Sequence, residues 1–239
     1  MREYQIKPRD QIAEMIECYI IDNGLNPGDA LPSERQLCEA WDCNRMTYRA
    51  ACKRLISEGI LKSVPYKGYY VAEKKLERYL QGLISFTDFI QQQGLHLTNR
   101  LISSGVVPAS RRIAHDMKLA EGSEVFELVR LRLVDDEPVS IDTSYIPYHL
   151  FPGIEKYNYE ELSLYGVMEK EYGATFDGGY EEISITYADK EEADLLLIEE
   201  GQGLFFLRGV TLNLESIPVE VIKSVLRTDR IRFAGELRK

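Results

Sequence analysis

The sequence is poor in the residues that build metal centres and disulfide frameworks. Its 239 residues include only four cysteines, three histidines and one tryptophan. The cysteines, which form no CxxC pair, all lie in the first quarter of the chain: Cys18, Cys38, Cys43 and Cys52. The histidines are scattered at His96, His115 and His149. We therefore expect reduced, mostly buried thiols rather than disulfides or a metal site, and we predict no metal and no cofactor.

Long apolar runs are also missing. No stretch approaches the roughly 20 consecutive apolar residues that span a bilayer, and Met1 to Asp10 is polar and charged, unlike a secretory signal. Apolar residues still make up 44% of the chain and aromatic residues 10%, which is too much for a disordered chain. We expect a folded cytoplasmic protein whose length suits two modest domains better than one large domain.

Positive charge is scarce, but it is unevenly placed. The chain has 29 Lys and Arg against 39 Asp and Glu, for a formal charge of -10. Residues 1–75 hold 12 basic and 11 acidic side chains, so this part is +1 and the remainder is -11. Within it, Arg45, Arg49 and Lys53 recur every four residues. Because salt screens repulsion beyond about 8 Å, such a local basic stripe suits phosphate contact, although the spacing alone also fits an ordinary solvated helix face.

Two helices are predicted ahead of the basic stripe. Apolar residues recur at helical spacing over residues 12–20, and the sequence DNG then ends this first helix. Ser33 followed by Gln36 is a capping box, which begins a second helix that ends near Ala40. A turn-rich connector, NPGDALP, separates the two.

The basic stripe falls on a third predicted helix, which Asn44 caps and Gly59 ends. Its buried face is predicted to comprise Tyr48, Ala51, Cys52, Leu55 and Ile56. The sequence ILKSVPYKGYYVA then indicates two short strands around a Pro65 to Gly68 turn. Three helices followed by a hairpin predict a winged helix-turn-helix, whose third helix enters the DNA major groove.

Beyond the charged stretch AEKKLERYLQGL, strands and helices mix without regular alternation. The sequence EVFELVRLRLV alternates, which predicts a strand with Phe126, Leu128, Arg130 and Arg132 on one face. A second strand follows at VSIDTSYIP, a third at EEISITY, and a final hairpin is formed by GLFFLRGVTLN and IPVEVIKSVLR. Helices are predicted near 85, over 111–119 and 162–172, and at KEEADLLL. This mixture predicts an α+β domain built on an antiparallel sheet.

The order PGDALPSER, NRMTYRA, EGI and a glycine-bearing hairpin resembles the DNA-binding domain of the GntR family of bacterial transcription regulators. The remainder, from SFTDF through RLRLVDDEPVSIDTSYIP and SLYGVMEK to IPVEVIKSVLRTDRIRF, resembles the effector-binding domain of the HutC subfamily, which has a chorismate-lyase-like fold. The resemblance implies a winged helix-turn-helix over 1–73, a linker over 74–84, and an effector-binding and dimerisation domain over 85–239.

The resemblance also implies which residues bind DNA. Together with the basic stripe it gives the candidates Ser33, Arg35, Arg45, Thr47, Arg49, Lys53, Lys67 and Gly68. Arginine can pair bidentately with guanine, and hydroxyl groups suit phosphate oxygens. The partner would be a palindromic double-stranded operator bound by a homodimer. Two positions depart from the family pattern, since Tyr66 replaces a glycine of the wing and Asn44 replaces the serine that opens the third helix.

Arg130 and Arg132 are two charges on one strand face, and burying them unpaired would be costly. They either pair with carboxylates such as Asp142 or Glu220, or they bind an anionic ligand. The resemblance favours a ligand, and the candidate effector-binding residues are Ser85, Phe86, Thr87, Arg130, Arg132, Asp142, Ser163, Tyr165 and Glu220. Backbone amides at the helix start near Ser85 would attract a phosphate group.

The predicted function is therefore a ligand-responsive, sequence-specific transcription regulator, acting as a repressor that a small anionic metabolite such as a sugar phosphate releases from DNA. One alternative is an enzyme whose chorismate-lyase-like domain is tethered to a DNA-binding module, although the sequence offers no catalytic candidate such as a nucleophile and base pair. Another is a constitutive architectural DNA-binding protein, against which the two arginines on one strand face argue.

Overall fold

The computed structural model describes residues 7–73, 75–79 and 85–235. The helices are α1 (Pro8–Asp22), α2 (Glu34–Ala40), α3 (Arg45–Ser57), α4 (Phe86–Gln92), α5 (Arg111–Asp116), α6 (Leu164–Tyr172) and α7 (Lys190–Leu196). The strands are β1 (Leu61–Val64), β2 (Gly68–Val71), β3 (Leu76–Tyr79), β4 (Leu97–Pro108), β5 (Glu124–Val134), β6 (Glu137–Pro147), β7 (Gly179–Tyr187), β8 (Gly203–Leu212), β9 (Pro218–Arg227) and β10 (Ile231–Ala234). The predicted α+β fold class is confirmed.

The chain divides into two compact units. One comprises the described residues up to Glu77 together with Thr228–Arg232, and the other comprises Arg78–Arg227 together with the described residues from Phe233 onward. The linker predicted over 74–84 lies partly outside the described residues, at 74 and 80–84. The N-terminal unit is thus assembled from two separate stretches of the chain.

The N-terminal unit is the predicted winged helix-turn-helix. Helix α2 begins with the capping box of Ser33 and Gln36, and α3 begins where the Asn44 side chain accepts a hydrogen bond from the Thr47 amide. The buried core joins all three helices and includes Ile12, Ala13, Ile16, Leu37, Tyr48, Ala51, Cys52, Leu55 and Leu61. Ile56, predicted to be part of the buried face of α3, is only partly buried and packs against this core.

Strands β1 and β2 form the wing as an antiparallel hairpin. A stretch of backbone preceding α2 extends it, because Leu31 donates its amide hydrogen to the Tyr69 carbonyl and Val71 donates to the carbonyl of Asp29. This third segment ties the base of the wing to the chain that leads into α2.

The short strands β3 and β10 pair with each other, and neither was predicted from the sequence. Next to them, Lys75 Nζ donates to the Thr228 carbonyl at 2.7 Å, and the Leu76 amide donates to the Arg230 carbonyl at 2.8 Å. Gly59, at the end of α3, faces the same segment: a Cβ there would lie 2.8 Å from the Asp229 carbonyl oxygen. The late residues 228–232 therefore complete the N-terminal unit.

The C-terminal unit is built on a six-stranded antiparallel sheet in the order β4-β5-β6-β9-β8-β7. One face packs on α5 and α7 through side chains such as Val125, Leu131 and Val225. The opposite face packs in part on α6, against Phe126 and Ile146. The rest of this second face is polar and lines a cavity.

The polar part of the sheet follows from its register. Arg130 lies opposite Asp142 on β6, Asp142 lies opposite Ser224 on β9, and Thr211 on β8 lies opposite Glu220. Because side chains alternate between the two faces of a strand, these residues point to one side. The alternation predicted for EVFELVRLRLV is thus confirmed, while α5 is shorter than predicted and the long strand β4 was not predicted.

Candidate functional site

Helix α3 presents the basic stripe to solvent. Tyr48, Ala51, Cys52 and Leu55 are buried on one side of the helix, while Arg45, Arg49 and Lys53 are exposed on the other. Exposed cations on a helix that follows a short turn are what major-groove recognition requires. The position and exposure of this stripe fit the predicted nucleic-acid interface.

A single carboxylate contacts two of these arginines. Glu34, in the first turn of α2, lies with its Oε2 atom 2.8 Å from Arg49 Nε and its Oε1 atom 3.8 Å from Arg45 Nε. The Glu34 hydrogen bond raises the pKa of Arg49. The side chain of Glu34 is only 21% exposed, whereas both arginines are more than half exposed. The carboxylate therefore holds the two guanidinium groups side by side on the exposed surface, an arrangement that the sequence analysis did not predict.

The hydroxyl candidates are engaged in helix capping. Ser33 Oγ donates to Gln36 Oε1 at 2.7 Å, and Thr47 Oγ1 donates to Asn44 Oδ1 at 3.1 Å. Arg35 forms an exposed pair with Glu39, with 3.8 Å between the charged atoms. The hydroxyl hydrogens of Ser33 and Thr47 are thus donated within the helix caps, and a phosphate oxygen could accept one only if that cap bond were exchanged, whereas the exposed Arg35 keeps further N–H donors available.

The tip of the wing has an unusual backbone. Tyr66 has a φ of 63°, in the left-handed region that disfavours residues with a Cβ, and its side chain is fully exposed. Gly68 follows at φ 101°, where glycine is required. Lys67, between them, is exposed. The wing thus projects one cation and one aromatic ring into solvent.

The C-terminal unit contains a cavity of about 770 Å³ on the polar part of the sheet. All nine candidate effector-binding residues line it: Ser85, Phe86, Thr87, Arg130, Arg132, Asp142, Ser163, Tyr165 and Glu220. Its volume lies in the range of about 300 to 1,000 Å³ that suits small molecules. The structure thus brings together in one place residues that are up to 135 positions apart in the sequence.

The two arginines of β5 have different partners. Arg132 donates from Nε to Asp142 Oδ2 at 2.9 Å and from Nη1 to Asn99 Oδ1 at 2.5 Å, and its guanidinium group lies 5.7 Å from the centre of the Phe86 ring. Arg130 is only 2% exposed, and its Nε and Nη1 atoms have no hydrogen-bond partner within the described residues. Arg132 therefore pairs with a carboxylate, which is the first of the two possibilities left open by the sequence, whereas no ion pair of Arg130 is found among the described residues.

The pKa values of the ionisable groups in the cavity shift in different directions. Burial lowers the pKa of Arg130, and so does Arg132, while Asp142 and Glu220 oppose the shift. Burial alone would raise the pKa of the Asp142 carboxyl, but the charges of Arg132 and Arg130 together with hydrogen bonds from Ser224 and Arg132 hold the pKa below its usual value. Burial raises the pKa of Glu220. The cavity thus holds one well-compensated ion pair beside an arginine whose charge is poorly compensated.

A cluster of hydroxyl groups surrounds Glu220 at the cavity wall. Tyr165 donates its hydroxyl hydrogen to Glu220 Oε2 at 2.6 Å and lies 2.9 Å from Thr211 Oγ1. The Tyr165 ring stacks on Phe176 at 4.3 Å between centroids, and burial followed by the charge of Glu220 raises the pKa of its hydroxyl well above the ordinary value. The sequence analysis assigned Tyr165 and Glu220 to the site but missed Thr211, which only the β8 and β9 register brings into contact.

The N-termini of the two helices at the cavity wall, α4 and α6, are capped by serine side chains. Ser85 Oγ donates to Asp88 Oδ2 at 2.7 Å, so a carboxylate already lies in the first turn of α4. Ser163 Oγ accepts the Gly166 amide at 3.4 Å. The anion site predicted at residues 85–87 therefore has a carboxylate beside it, which weakens the attraction of this helix start for an anion.

Two negative findings apply to the part of the chain described above. No group of three or more metal-binding side chains is present there. Each helix within it is too short or too polar to traverse a bilayer.

Comparison with known proteins identifies both units. Residues 8–71 match the model of bacterial regulatory proteins of the gntR family, and residues 92–232 match the model of the UTRA domain. The HTH-type transcriptional repressor NagR of Bacillus subtilis is 30% identical over 223 residues, which cover 93% of this chain and 91% of NagR. A probable fructoselysine utilization operon transcriptional repressor of Escherichia coli is 29% identical, with 85% and 84% of the two chains covered.

The similarity extends to solved structures. The crystal structure of PhnF from Mycobacterium smegmatis superimposes with a TM-score of 0.68 at 25% identity, covering 95% of this chain and 99% of PhnF. The matches span both the helix-turn-helix and the sheet that carries the cavity. The chain therefore belongs to the GntR family of bacterial transcription regulators, with a gntR-type DNA-binding domain followed by a UTRA domain.

Proposed function

We propose that the protein is a transcriptional repressor that an anionic metabolite, such as a sugar phosphate, releases from its operator by binding the cavity of the C-terminal unit. Arg130 is the principal partner of the anionic group. The observation that carries this proposal is the buried guanidinium of Arg130, which lines the cavity and whose Nε and Nη1 atoms have no hydrogen-bond partner among the residues that the structure describes.

Electrostatics supports this assignment. A buried charge without a partner is costly, and an anion that accepts both free N–H groups would remove that cost through two charge-assisted hydrogen bonds. Arg132 is less available, because its Nε and Nη1 atoms already donate to Asp142 and Asn99. We expect Arg132 to shape the site and Arg130 to bind the ligand.

The remaining polar groups suit a hydroxylated ligand. The carboxylates of Glu220 and Asp142 can accept hydrogen bonds from sugar hydroxyls, while Tyr165, Thr211 and Ser163 offer oxygens that donate or accept. Carbohydrate-linked relatives agree with this class of ligand. Relatives are named as repressors for fructoselysine utilization and for mannosyl-D-glycerate transport and metabolism, the latter 27% identical over 223 residues.

On the DNA side, we propose that two copies of the chain bind a palindromic operator in the cytoplasm. In helix-turn-helix dimers the two recognition helices occupy half-sites about 34 Å apart, so that dimer symmetry matches operator symmetry. Ligand binding would lower operator affinity by about 5- to 150-fold, the usual range of allosteric coupling. We expect the ligand to be bound and released unchanged.

The experiment is a thermal-shift screen of sugar phosphates, each compared with its unphosphorylated sugar. A ligand at 100 times its Kd stabilises a protein by about 2.7 kcal/mol, which for a chain of this size raises Tm by roughly 5 to 10 °C. We expect such a shift for a phosphorylated sugar, and we expect Arg130→Met to eliminate it. Arg130→Met should fold normally because it replaces an unpaired buried charge by an apolar side chain of similar length.

The matched control is Arg132→Met, which removes the neighbouring arginine of the same strand. We expect this variant to unfold at a lower temperature, because Asp142 loses its partner. The ligand should still raise the Tm of this variant, because Arg130 is present. A normal ligand-induced shift in Arg130→Met would refute the assignment of Arg130. Product analysis of the recovered ligand by mass spectrometry tests whether it is returned unchanged.

A further inference from the structure

A third arginine faces the cavity, contributed by a strand remote from the other two. Arg78 lies on β3 and lines the cavity, and its Nη2 atom is 2.5 Å from Oε1 of Glu181 on β7. The Arg78 guanidinium also lies 5.9 Å from the centre of the Phe233 ring, which in turn packs edge-on against Phe205. Arg78 is thus held at the cavity wall by one carboxylate and one aromatic ring.

The partner of Arg78 belongs to the cavity as well. Glu181 lines it, and the aliphatic part of its side chain crosses Gly209, where a Cβ would lie only 3.0 Å from Glu181 Cγ. After burial and Glu220, the charge of Glu181 is one of the groups that raise the pKa of Tyr165. The charge of Glu181 therefore acts on the hydroxyl cluster inside the cavity.

The charges that line the cavity are balanced without a ligand. They comprise three guanidinium groups and three carboxyl groups: Arg78, Arg130, Arg132, Asp142, Glu181 and Glu220. Arg132 and Asp142 are buried and bonded to each other, whereas the Arg78 and Glu181 side chains are 18% and 35% exposed. An entering anion upsets the balance, and the more exposed pair is the easier one to separate because water compensates its charges.

We infer that Arg78 is a second anion-binding residue of this cavity, which exchanges Glu181 for the anionic group of the ligand when the ligand binds. The inference rests on the proposed function, since it requires that the cavity binds an anion at Arg130. Glu181 is then an internal competitor, which occupies Arg78 in the ligand-free protein and lowers the affinity for the ligand.

The place of Arg78 in the chain gives this exchange a regulatory consequence. Arg78 is the first residue of the C-terminal unit, and Glu77, which precedes it on the same strand, belongs to the N-terminal unit, where it pairs with Arg232. A change in the partner of Arg78 would therefore take place next to the peptide at which the chain passes from one unit to the other. The partner of Arg78 would then depend both on whether the ligand is bound and on the position of β3.

The test measures binding of inorganic phosphate by isothermal titration calorimetry, at constant ionic strength maintained with chloride. Arg78→Met keeps a side chain of similar length beside Phe233 but removes the charge, and we expect it to weaken phosphate binding by roughly tenfold, the effect of one lost charge-assisted hydrogen bond. Glu181→Gln removes the competitor, and we expect it to strengthen phosphate binding by about two- to fivefold. In the double variant the gain from Glu181→Gln should disappear.

The control is Glu77→Gln, which removes a carboxylate from the same strand outside the cavity and should leave phosphate affinity unchanged. If Arg78→Met and Glu181→Gln both leave the affinity within about twofold of the wild type while Arg130→Met abolishes binding, the exchange is refuted and the proposed function stands. If Arg130→Met also binds phosphate normally, the proposed function itself fails. A weakening by Glu181→Gln would show that the pair is structural, which again refutes the exchange.

Discussion

The carboxylate between the two exposed arginines of the recognition helix should restrain DNA binding. Glu34 contacts Arg49 at 2.8 Å and Arg45 at 3.8 Å, so a DNA group that recruits either guanidinium must compete with it. Two opposite charges about 4 Å apart in water attract with about 1 kcal/mol, which corresponds to roughly a factor of five in an equilibrium constant. Salt and the loss of side-chain entropy reduce this attraction further. Glu34→Gln should therefore raise the affinity for DNA by about two- to fivefold.

The assay is fluorescence anisotropy with two duplexes, one obtained by in vitro selection and one of scrambled sequence, measured across a salt series. We expect both affinities to rise by a similar factor, because the arginines become easier to recruit in either complex. The slope of log K against log salt should stay the same, since the number of neutralised phosphates does not change.

The matched control is Glu58→Gln. Glu58 lies 2.6 Å from Arg54 at the far end of the same helix, and Arg54 also pairs with Asp10 on α1 instead of belonging to the basic stripe. This variant changes the net charge equally but should alter DNA affinity less. If Glu34→Gln weakens binding to both duplexes while its circular dichroism and Tm are unchanged, Glu34 positions the arginines for DNA instead of restraining them.

Four further predictions concern the recognition helix, the wing and the cavity. Arg49→Ala should weaken binding of the selected duplex by roughly 5- to 150-fold and of the scrambled one by a smaller factor, whereas Lys67→Ala should weaken both about equally and reduce the salt slope by about one, as gel-shift titrations would show. Tyr66→Gly should raise the free energy of unfolding by about 0.5 to 1 kcal/mol, because the left-handed backbone suits glycine; a loss of stability in urea unfolding would indicate that the ring makes a compensating contact. Asp142→Asn should cost about 3 to 5 kcal/mol at neutral pH by leaving Arg132 unpaired. Because the folded-state pKa of Asp142 is depressed, its contribution is present above the unfolded pKa of about 4 and lost as pH falls further, so the deficit of the variant in urea midpoints should shrink below about pH 4.

The sequence predicted well those parts of the site that follow from local patterns. Alternation along β5 placed Arg130 and Arg132 on one face, and helical spacing placed Arg45 and Arg49 opposite the buried face of α3. These patterns depend only on the period of a strand or a helix, so they can be detected without tertiary information.

Contacts between distant strands could not be predicted in the same way. Arg130 lies directly opposite Asp142 in the register, yet the carboxylate bonds to Arg132, because the side chain reaches diagonally along the sheet. Strand β4, which supplies Asn99, is mostly exposed at the edge of the sheet and lacks an alternating pattern. Arg78 was missed because β3 is only four residues long and pairs with a strand more than 150 positions later.

The return of residues 228–232 to the N-terminal unit has a consequence for how the protein is made. Hydrogen bonds from Lys75 and Leu76 to Thr228 and Arg230 form only after the whole C-terminal sheet has been translated. At about 5 to 20 residues per second, the ribosome needs roughly 8 to 30 s to synthesise the intervening chain. During this time the nascent helix-turn-helix lacks residues 228–232. Premature termination ahead of residue 228 should therefore release a DNA-binding unit that is folded incompletely around Gly59.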